Sequence, residues 1–368
     1  MLKIEEYYFC NKHFPNRYIS PKKLFSYLES EYRKEIDLIG TSVKGNPIYK
    51  IRLGKGKLKV IAWSQMHGNE SNATHALLDL LAIKKQNPAL FESIFNRISL
   101  DFILMLNPDG SEVWKRRNAM DVDMNRDFHQ EASKEFSLLK NWVKNQHYDY
   151  AFNLHEQRSV FSTDGEIPAT ICFLAPSEDI EKTITETRKQ TMAVISAIYQ
   201  SMKPMIPQHI SRYNDDFYPF STGDNFTKMG IPTILYEGGH FPEDYLRKET
   251  RKYYAIAFYY GLKAVAELQG STENWEQYFD IPNNQETHFD IIYRNLKMNT
   301  DFPCVLDIAV QYEECIHKGD EEISFIPKIV EIGDLSHKKG WKEIDGTNKK
   351  ITYTEFPSIG EKVNFKLK

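Results

Sequence analysis

From residue 59 to residue 268 of this 368-residue chain, short apolar runs alternate with helix-like stretches, and that alternation limits the folds open to it. Residues 59–64, 100–106, 150–154, 170–174 and 232–236 read as strands dominated by apolar residues. Residues 70–84, 133–145, 180–202 and 246–268 read as helices, with Phe136, Leu139, Trp142 and Val143 on one face of the second. Residues 21–28 add a short helix, with Ser20 as N-cap and Pro21 in the first turn. Apolar strands alternating with helices predict an α/β fold: a mixed, mostly parallel sheet flanked by helices on both faces. In such sheets functional groups gather beyond the carboxyl ends of the strands.

The pattern changes near residue 270. A polar stretch opens a linker over 271–285, and helical periodicity fades beyond it. Residues 305–310, 323–326, 329–332 and 363–367 read as short strands between turns, so 286–368 is expected to be a small antiparallel β module. Residues 1–270 are then the main domain, with 1–40 a helical lead-in lacking a clean strand pattern.

Bulk properties exclude several classes. Hydrophobic residues at 41% and charged residues at 27% suit a globular protein. A net charge of −4 gives no nucleic-acid footprint. No run approaches the roughly 20 apolar residues of a membrane span. The opening Met1-Leu2-Lys3-Ile4-Glu5-Glu6 carries acids where a secretory signal needs basic residues and an apolar run. Cys10, Cys172, Cys304 and Cys315 form no CxxC pair and suggest four reduced thiols. The expectation is a cytoplasmic protein without membrane or nucleic-acid partners.

The chemistry-bearing residues sit where the architecture wants them. His67-Gly68-Asn69-Glu70 lies between the first apolar strand and its helix, and His155 ends the strand over 150–154. Glu237 follows the strand over 232–236. Two imidazoles and a carboxylate are the donor set of a three-ligand zinc site with one position left for water. Five features then occur in order: His67 with Glu70; Asn107-Pro108-Asp109-Gly110; the run from Arg116 through Asp123, Asn125 and Arg126; His155; and Tyr236-Glu237-Gly238-Gly239. Over roughly residues 40–245 this series resembles the zinc carboxypeptidases, the metallocarboxypeptidase (peptidase M14) family.

The resemblance implies roles. His67, Glu70 and His155 would bind one Zn²⁺ per chain, and Glu237 would be the general base. Arg116 would stabilise the oxyanion, with its neighbour Arg117 as the competing assignment. Asn125 and Arg126 would grip a free substrate carboxylate. Asp123 would accept a hydrogen bond from a zinc-binding histidine. Tyr218, or else Tyr213, would close over the substrate. His240, near Glu237, is a candidate for the cleft lining. Three positions depart from the family pattern: Asn69 where an arginine is frequent, Asn153 where aspartate is common, and the charged run His155-Glu156-Gln157-Arg158. The implied activity is hydrolysis of the C-terminal peptide bond of a peptide. The alternatives are a zinc amidohydrolase of the same fold acting on N-acyl amino acids or murein peptides, and a peptide-binding scaffold without activity.

Overall fold

The computed structural model describes residues 2–298 and 303–368; Met1 of the acidic opening and residues 299–302 lie outside the described residues. The strands of the first 240 residues are β1 Ile36–Thr41, β2 Pro47–Leu53, β3 Leu58–Trp63, β4 Ile98–Leu104, β5 Tyr150–Glu156, β6 Phe161–Thr163, β7 Ile167–Pro168, β8 Ile171–Leu174, β9 Ile210–Arg212 and β10 Thr233–Gly238. The α-helices are α1 Pro21–Glu31, α2 Asn72–Gln86, α3 Ala89–Phe95, α4 Pro108–Glu112, α5 Lys134–Gln146, α6 Glu186–Met202, α7 Thr222–Lys228 and α8 Lys248–Leu268.

Eight strands form one sheet in the order β1-β2-β4-β3-β5-β10-β8-β9. The centre is parallel: β4, β3, β5 and β10 run together, and β8 with β9. The pairs β1–β2, β2–β4 and β10–β8 are antiparallel. The sheet is thus mixed and mostly parallel, as expected. Helices cover both faces. Phe102, Phe152 and Tyr236 pack on one face with Tyr254 and Phe258 of α8 and residues of α2, α3 and α6. Ile61, Trp63 and Ile103 pack on the other with Phe136 and Leu139 of α5 and Phe226 of α7. Each such large apolar side chain contributes about 1.5–3 kcal/mol on burial.

The strand-poor reading of residues 1–40 missed β1. It is an edge strand with Leu38 largely exposed, so its apolar residues do not fall on one buried face. The turn expected at Asn107 is a one-turn helix: Pro108 sits at its first position and the Asn107 side chain accepts from Gly110 N at 2.9 Å.

After α8 the chain turns through a 3₁₀ helix, Trp275–Asp280, that buries Tyr278. Strand β11, Asn284–Glu286, then pairs with β6. A four-stranded sheet follows, ordered β14-β13-β12-β15, from β12 His288–Met298, β13 Cys304–Cys315, β14 Ser324–Gly333 and β15 Lys339–Asp345. β12–β13 and β13–β14 are antiparallel, whereas β15 joins β12 in parallel. The runs 323–326 and 329–332 belong to a single strand, β14. Pro327 splits the pattern in the sequence, but β14 is a sheet edge, where proline is tolerated. Strands Ile351–Tyr353 and Phe365–Leu367 form a final two-stranded ribbon. Among the described residues no helix is long and apolar enough to cross a membrane.

Candidate functional site

The register of two central strands sets the site. β10 runs parallel to β5 with Glu237 directly beside His155. Residues level with each other on neighbouring strands share a face, so both side chains emerge at the carboxyl edge of the sheet. His67 and Glu70 arrive from the turn between β3 and α2. That turn is pressed against the next loop: a Cβ on Gly68 would lie 2.2 Å from Gly110 C and 2.3 Å from Ser111 N, both backbone. Asn107 locks the same loop, donating to Arg116 O at 3.3 Å, while Gly68 N donates to Arg116 O at 3.3 Å. The turn after Glu237 is equally tight, since a Cβ on Gly239 would meet Ala169 O at 1.8 Å.

His67, Glu70 and His155 are buried and their donor atoms lie within 4.8 Å of one another. Glu70 Oε1 is 2.7 Å from His67 Nδ1 and its Oε2 is 2.9 Å from His155 Nδ1. The two Nδ1 atoms are 3.2 Å apart. His67 Nε2 donates to Asp123 Oδ1 at 3.1 Å, which leaves a lone pair on Nδ1 facing inward. Lone pairs converging on a carboxylate repel one another, and a cation relieves that repulsion. The residues therefore fit a metal ion held by two imidazoles and a carboxylate.

The electrostatics follow from the same contacts. Burial disfavours the Glu70 carboxylate, but the two imidazoles outweigh it and hold its pKa far below the ordinary range. Burial likewise opposes charge on His67, yet Glu70 and Asp123 raise it. At His155 burial wins and the pKa falls. Its Nε2 has no partner among the described residues, so the Asn153 amide gives it no support. Glu237 behaves oppositely to Glu70. Burial, then the neighbouring Glu70 charge, pushes its pKa well above the carboxylate range, and its Oε2 is buried without a hydrogen bond among the described residues.

A cleft of about 800 Å³ opens over this group. Arg116 reaches into it, donating from Nη1 to His67 Nδ1 at 3.1 Å and Glu70 Oε1 at 3.3 Å, and from Nε to Asp123 Oδ2 at 3.0 Å. Arg117 points elsewhere, to Asp121 O at 2.8 Å. Asp123 also accepts from Asn125 N at 3.0 Å, which ties the histidine's partner to the next residues of the site. Asn125 and Arg126 line the cleft together with Tyr213 and Tyr218. The Arg126 guanidinium lies 5.2 Å from the centre of the Tyr218 ring. Tyr213 sits nearer Glu237: burial and then the Glu237 charge raise its phenol. His240 does not line the cleft. It is buried against Tyr245 and Trp341.

Several cleft residues carried no signal in the sequence. Arg17, from the segment before α1, bonds Glu156 at 3.3 Å and Glu314 at 2.6 Å. Arg247 caps α8, and Gln311, Tyr312, Glu313 and Glu314 come from β13. Only the fold brings positions 17, 156, 247 and 311–314 together. A run of opposite charges near His155, at Glu156 and Arg158, was the sole hint.

Comparison with known proteins agrees with this geometry. Residues 24–162 match the family model described as zinc carboxypeptidase. Carboxypeptidase SOL1 of Arabidopsis thaliana is 32% identical over 99 residues, 24% of this chain and 20% of that protein, so the chain spans about a fifth of that relative. Among solved structures, a metallo-carboxypeptidase from Burkholderia cenocepacia superposes with a TM-score of 0.53 at 16% identity, covering 69% of each chain. Bovine thrombin-activatable fibrinolysis inhibitor gives 0.54 at 15% identity, covering 68% of this chain and 98% of that one. Carboxypeptidase A from Helicoverpa armigera gives 0.53 at 15%, with 68% and 74% covered. At these identities the structural likeness is one of fold. The matched segment holds His67, Glu70, Arg116, Asn125, Arg126 and His155, and over that segment the chain is similar to the zinc carboxypeptidase family.

Proposed function

We propose that the protein is a zinc-dependent metallocarboxypeptidase that hydrolyses the C-terminal peptide bond of peptides bearing a free carboxylate. One observation carries the reading: Asp123 bonds both His67 and the backbone of Asn125, which fixes Asn125 and Arg126 beside the His67–Glu70–His155 group. A carboxylate anchor at a fixed distance from a hydrolytic centre is what an exopeptidase needs and an endopeptidase does not.

The residues divide the work. Arg126 and Asn125 hold the terminal carboxylate, and the planar guanidinium suits its two oxygens. Zinc bound by His67, Glu70 and His155 would supply a water of lowered pKa and polarise the scissile carbonyl. Glu237 takes a proton from the attacking water and passes it to the leaving amine, a role suited to its raised pKa. Arg116, already within hydrogen-bond reach of two of the donors, can turn toward the developing oxyanion. Tyr213 and Tyr218 stand where either could close the cleft. In the same reading the 286–368 segment is a separate β module of the chain, one zinc binds per chain, and the four unpaired cysteines suit a cytoplasmic location.

The test is mass spectrometry of a mixed peptide set, each peptide present with a free and an amidated C-terminus, with and without chelator. Loss of single C-terminal residues from the free forms alone, stopped by chelator, is the expected result. Equal trimming of amidated peptides would contradict the carboxylate anchor. No trimming by zinc-loaded protein would move the reading to N-acyl amino acids or murein peptides.

A further inference from the structure

His67 and Glu70 stand on the turn before α2, and His155 stands near the end of β5. The spacing of these two segments decides whether the three side chains can share one ion. The residues beside them set it. Helix α2 begins at Asn72, two residues after Glu70, and opens without a cap of its own: the Ser71 side chain makes no capping bond and the first turn holds no acid. The first backbone N–H groups of a helix need partners. Ser71 spends its hydroxyl elsewhere, donating to Arg17 O at 2.8 Å. Glu156 caps the helix instead, accepting from Asn72 N at 2.5 Å through Oε1.

Glu156 directly follows His155 on β5, so this bond runs from one ligand-bearing segment to the other. A second bond runs beside it. Glu156 N donates to Glu70 Oε2 at 3.2 Å, the same oxygen that faces His155 Nδ1 at 2.9 Å. Glu156 thus touches Glu70 through its backbone and the helix behind Glu70 through its side chain.

Arg17 completes the arrangement from the segment before α1. Its Nη2 donates to the second Glu156 oxygen at 3.3 Å, and its carbonyl accepts from Ser71 and, at 3.0 Å, from His75 Nε2 of α2. Its Nη1 donates to Glu314 Oε1 at 2.6 Å and to Tyr245 O at 3.1 Å, which anchors it from outside the centre. The Arg17 and Glu156 side chains are each 4% exposed, so the pair is shielded from water. An exposed ion pair would hold little, whereas a buried one costs much to break. Among the described residues neither side chain bonds His67, Glu70 or His155, so both act through what they hold.

We infer that Arg17 and Glu156 are positioning residues of the metal centre: together they clamp the start of α2 to the end of β5 and so set the spacing of Glu70 and His155. This rests on the zinc reading of the centre and deepens it. It gives a task to the acid after His155, one of the places where the sequence departs from the family pattern, and it makes the segment before α1 part of the centre's support.

The test is zinc affinity, measured by competition with a chromophoric chelator on full-length wild type, Glu156→Gln, Arg17→Gln and the double variant, with peptide turnover followed in parallel. Glu156→Gln leaves one side-chain oxygen where two are now used. Each single substitution should raise the zinc Kd about 10- to 100-fold, the usual effect of losing support behind a metal ligand. The double variant removes both charges together and should lose no more than the weaker-binding single, because residues that act as one unit do not add. Asp101→Asn, which touches none of these residues, controls for destabilisation alone and should keep the wild-type zinc Kd. An unchanged Kd in Glu156→Gln, additive losses in the double variant, or equal weakening in Asp101→Asn overturns the clamp. The first of these stands even where Arg17→Gln fails to fold. Wild-type turnover separates the two claims. Weakened zinc in the variants with no trimming by the wild type keeps the clamp and removes the peptidase reading, whereas unchanged zinc with normal trimming does the reverse. A wild type that binds no zinc overturns both.

Discussion

Glu70 and Glu237 lie in one cleft, yet their surroundings drive their pKa values apart. Glu70 faces two imidazoles and stays ionised, as a ligand must. Glu237 Oε2 has no hydrogen bond among the described residues and burial raises its pKa, which suits the proposed base, one that takes a proton from water and passes it on. Arg126 is the other residue whose chemistry is specific, since only a fork can grip both oxygens of a carboxylate. Arg126→Lys should lower kcat/KM on free-carboxylate peptides by about 10- to 100-fold, mainly through KM, and leave amidated peptides untouched. Steady-state kinetics on paired peptides check this, and an equal loss on both members would assign Arg126 a structural role. The sequence showed these residues because their types are tied to their chemistry and to strand ends. It left Arg116 and Arg117 open, and the bond from Arg117 to Asp121 O separates them by direction.

Elements are held in register by polar contacts as well as by the core. Arg52 on β2 sits opposite Asp101 on β4 and bonds it at 2.7 and 2.8 Å, Lys50 adds 3.1 Å, and Tyr148 donates at 2.7 Å. Burial alone would raise the Asp101 pKa, but these partners hold it below the ordinary carboxylate value. Because the folded pKa is depressed, the carboxylate stabilises the fold above about pH 4, and that contribution is lost as pH falls through the folded value. Asp101→Asn should cost about 1–3 kcal/mol at pH 7, and the cost should shrink as pH falls through the folded value. Melting temperatures followed from neutral to acid pH test this, and a gap that did not narrow toward acid would contradict it. Legibility at this scale followed burial. The strands β3, β4, β5 and β10 are covered on both faces and read as continuous apolar runs. β12 mixes polar and apolar residues, and Arg294 and Asn295 fall where its register shifts, so no two-residue period marks it.

Across the whole molecule, contacts distant in sequence join the C-terminal strands to the body that carries the candidate site. Arg17 and Trp114 both bond Glu314, Trp341 Nε1 donates to Ser159 O at 2.7 Å, and Lys339 pairs with Glu166 at 2.5 Å. Glu314→Ala should therefore lower stability by about 1.5–3 kcal/mol in denaturant titration, since Arg17 loses one of two acids and Trp114 its acceptor. No change would mean that the module rests on the body without support from this cluster. Such joints were illegible in the sequence, because residues 17, 114, 156 and 314 have no common period and meet only after the sheet has formed. The centre, by contrast, was nearly complete in the sequence, since His67, Glu70, His155 and Glu237 each stand at the carboxyl end of a central strand. The measurement that tests that centre most directly is zinc content together with peptide turnover for wild type and Glu237→Gln. One zinc per chain in both, with turnover reduced about 10²- to 10⁴-fold in the variant, is the expected result. Wild-type turnover by Glu237→Gln, or a wild type that fails to retain zinc, would contradict it.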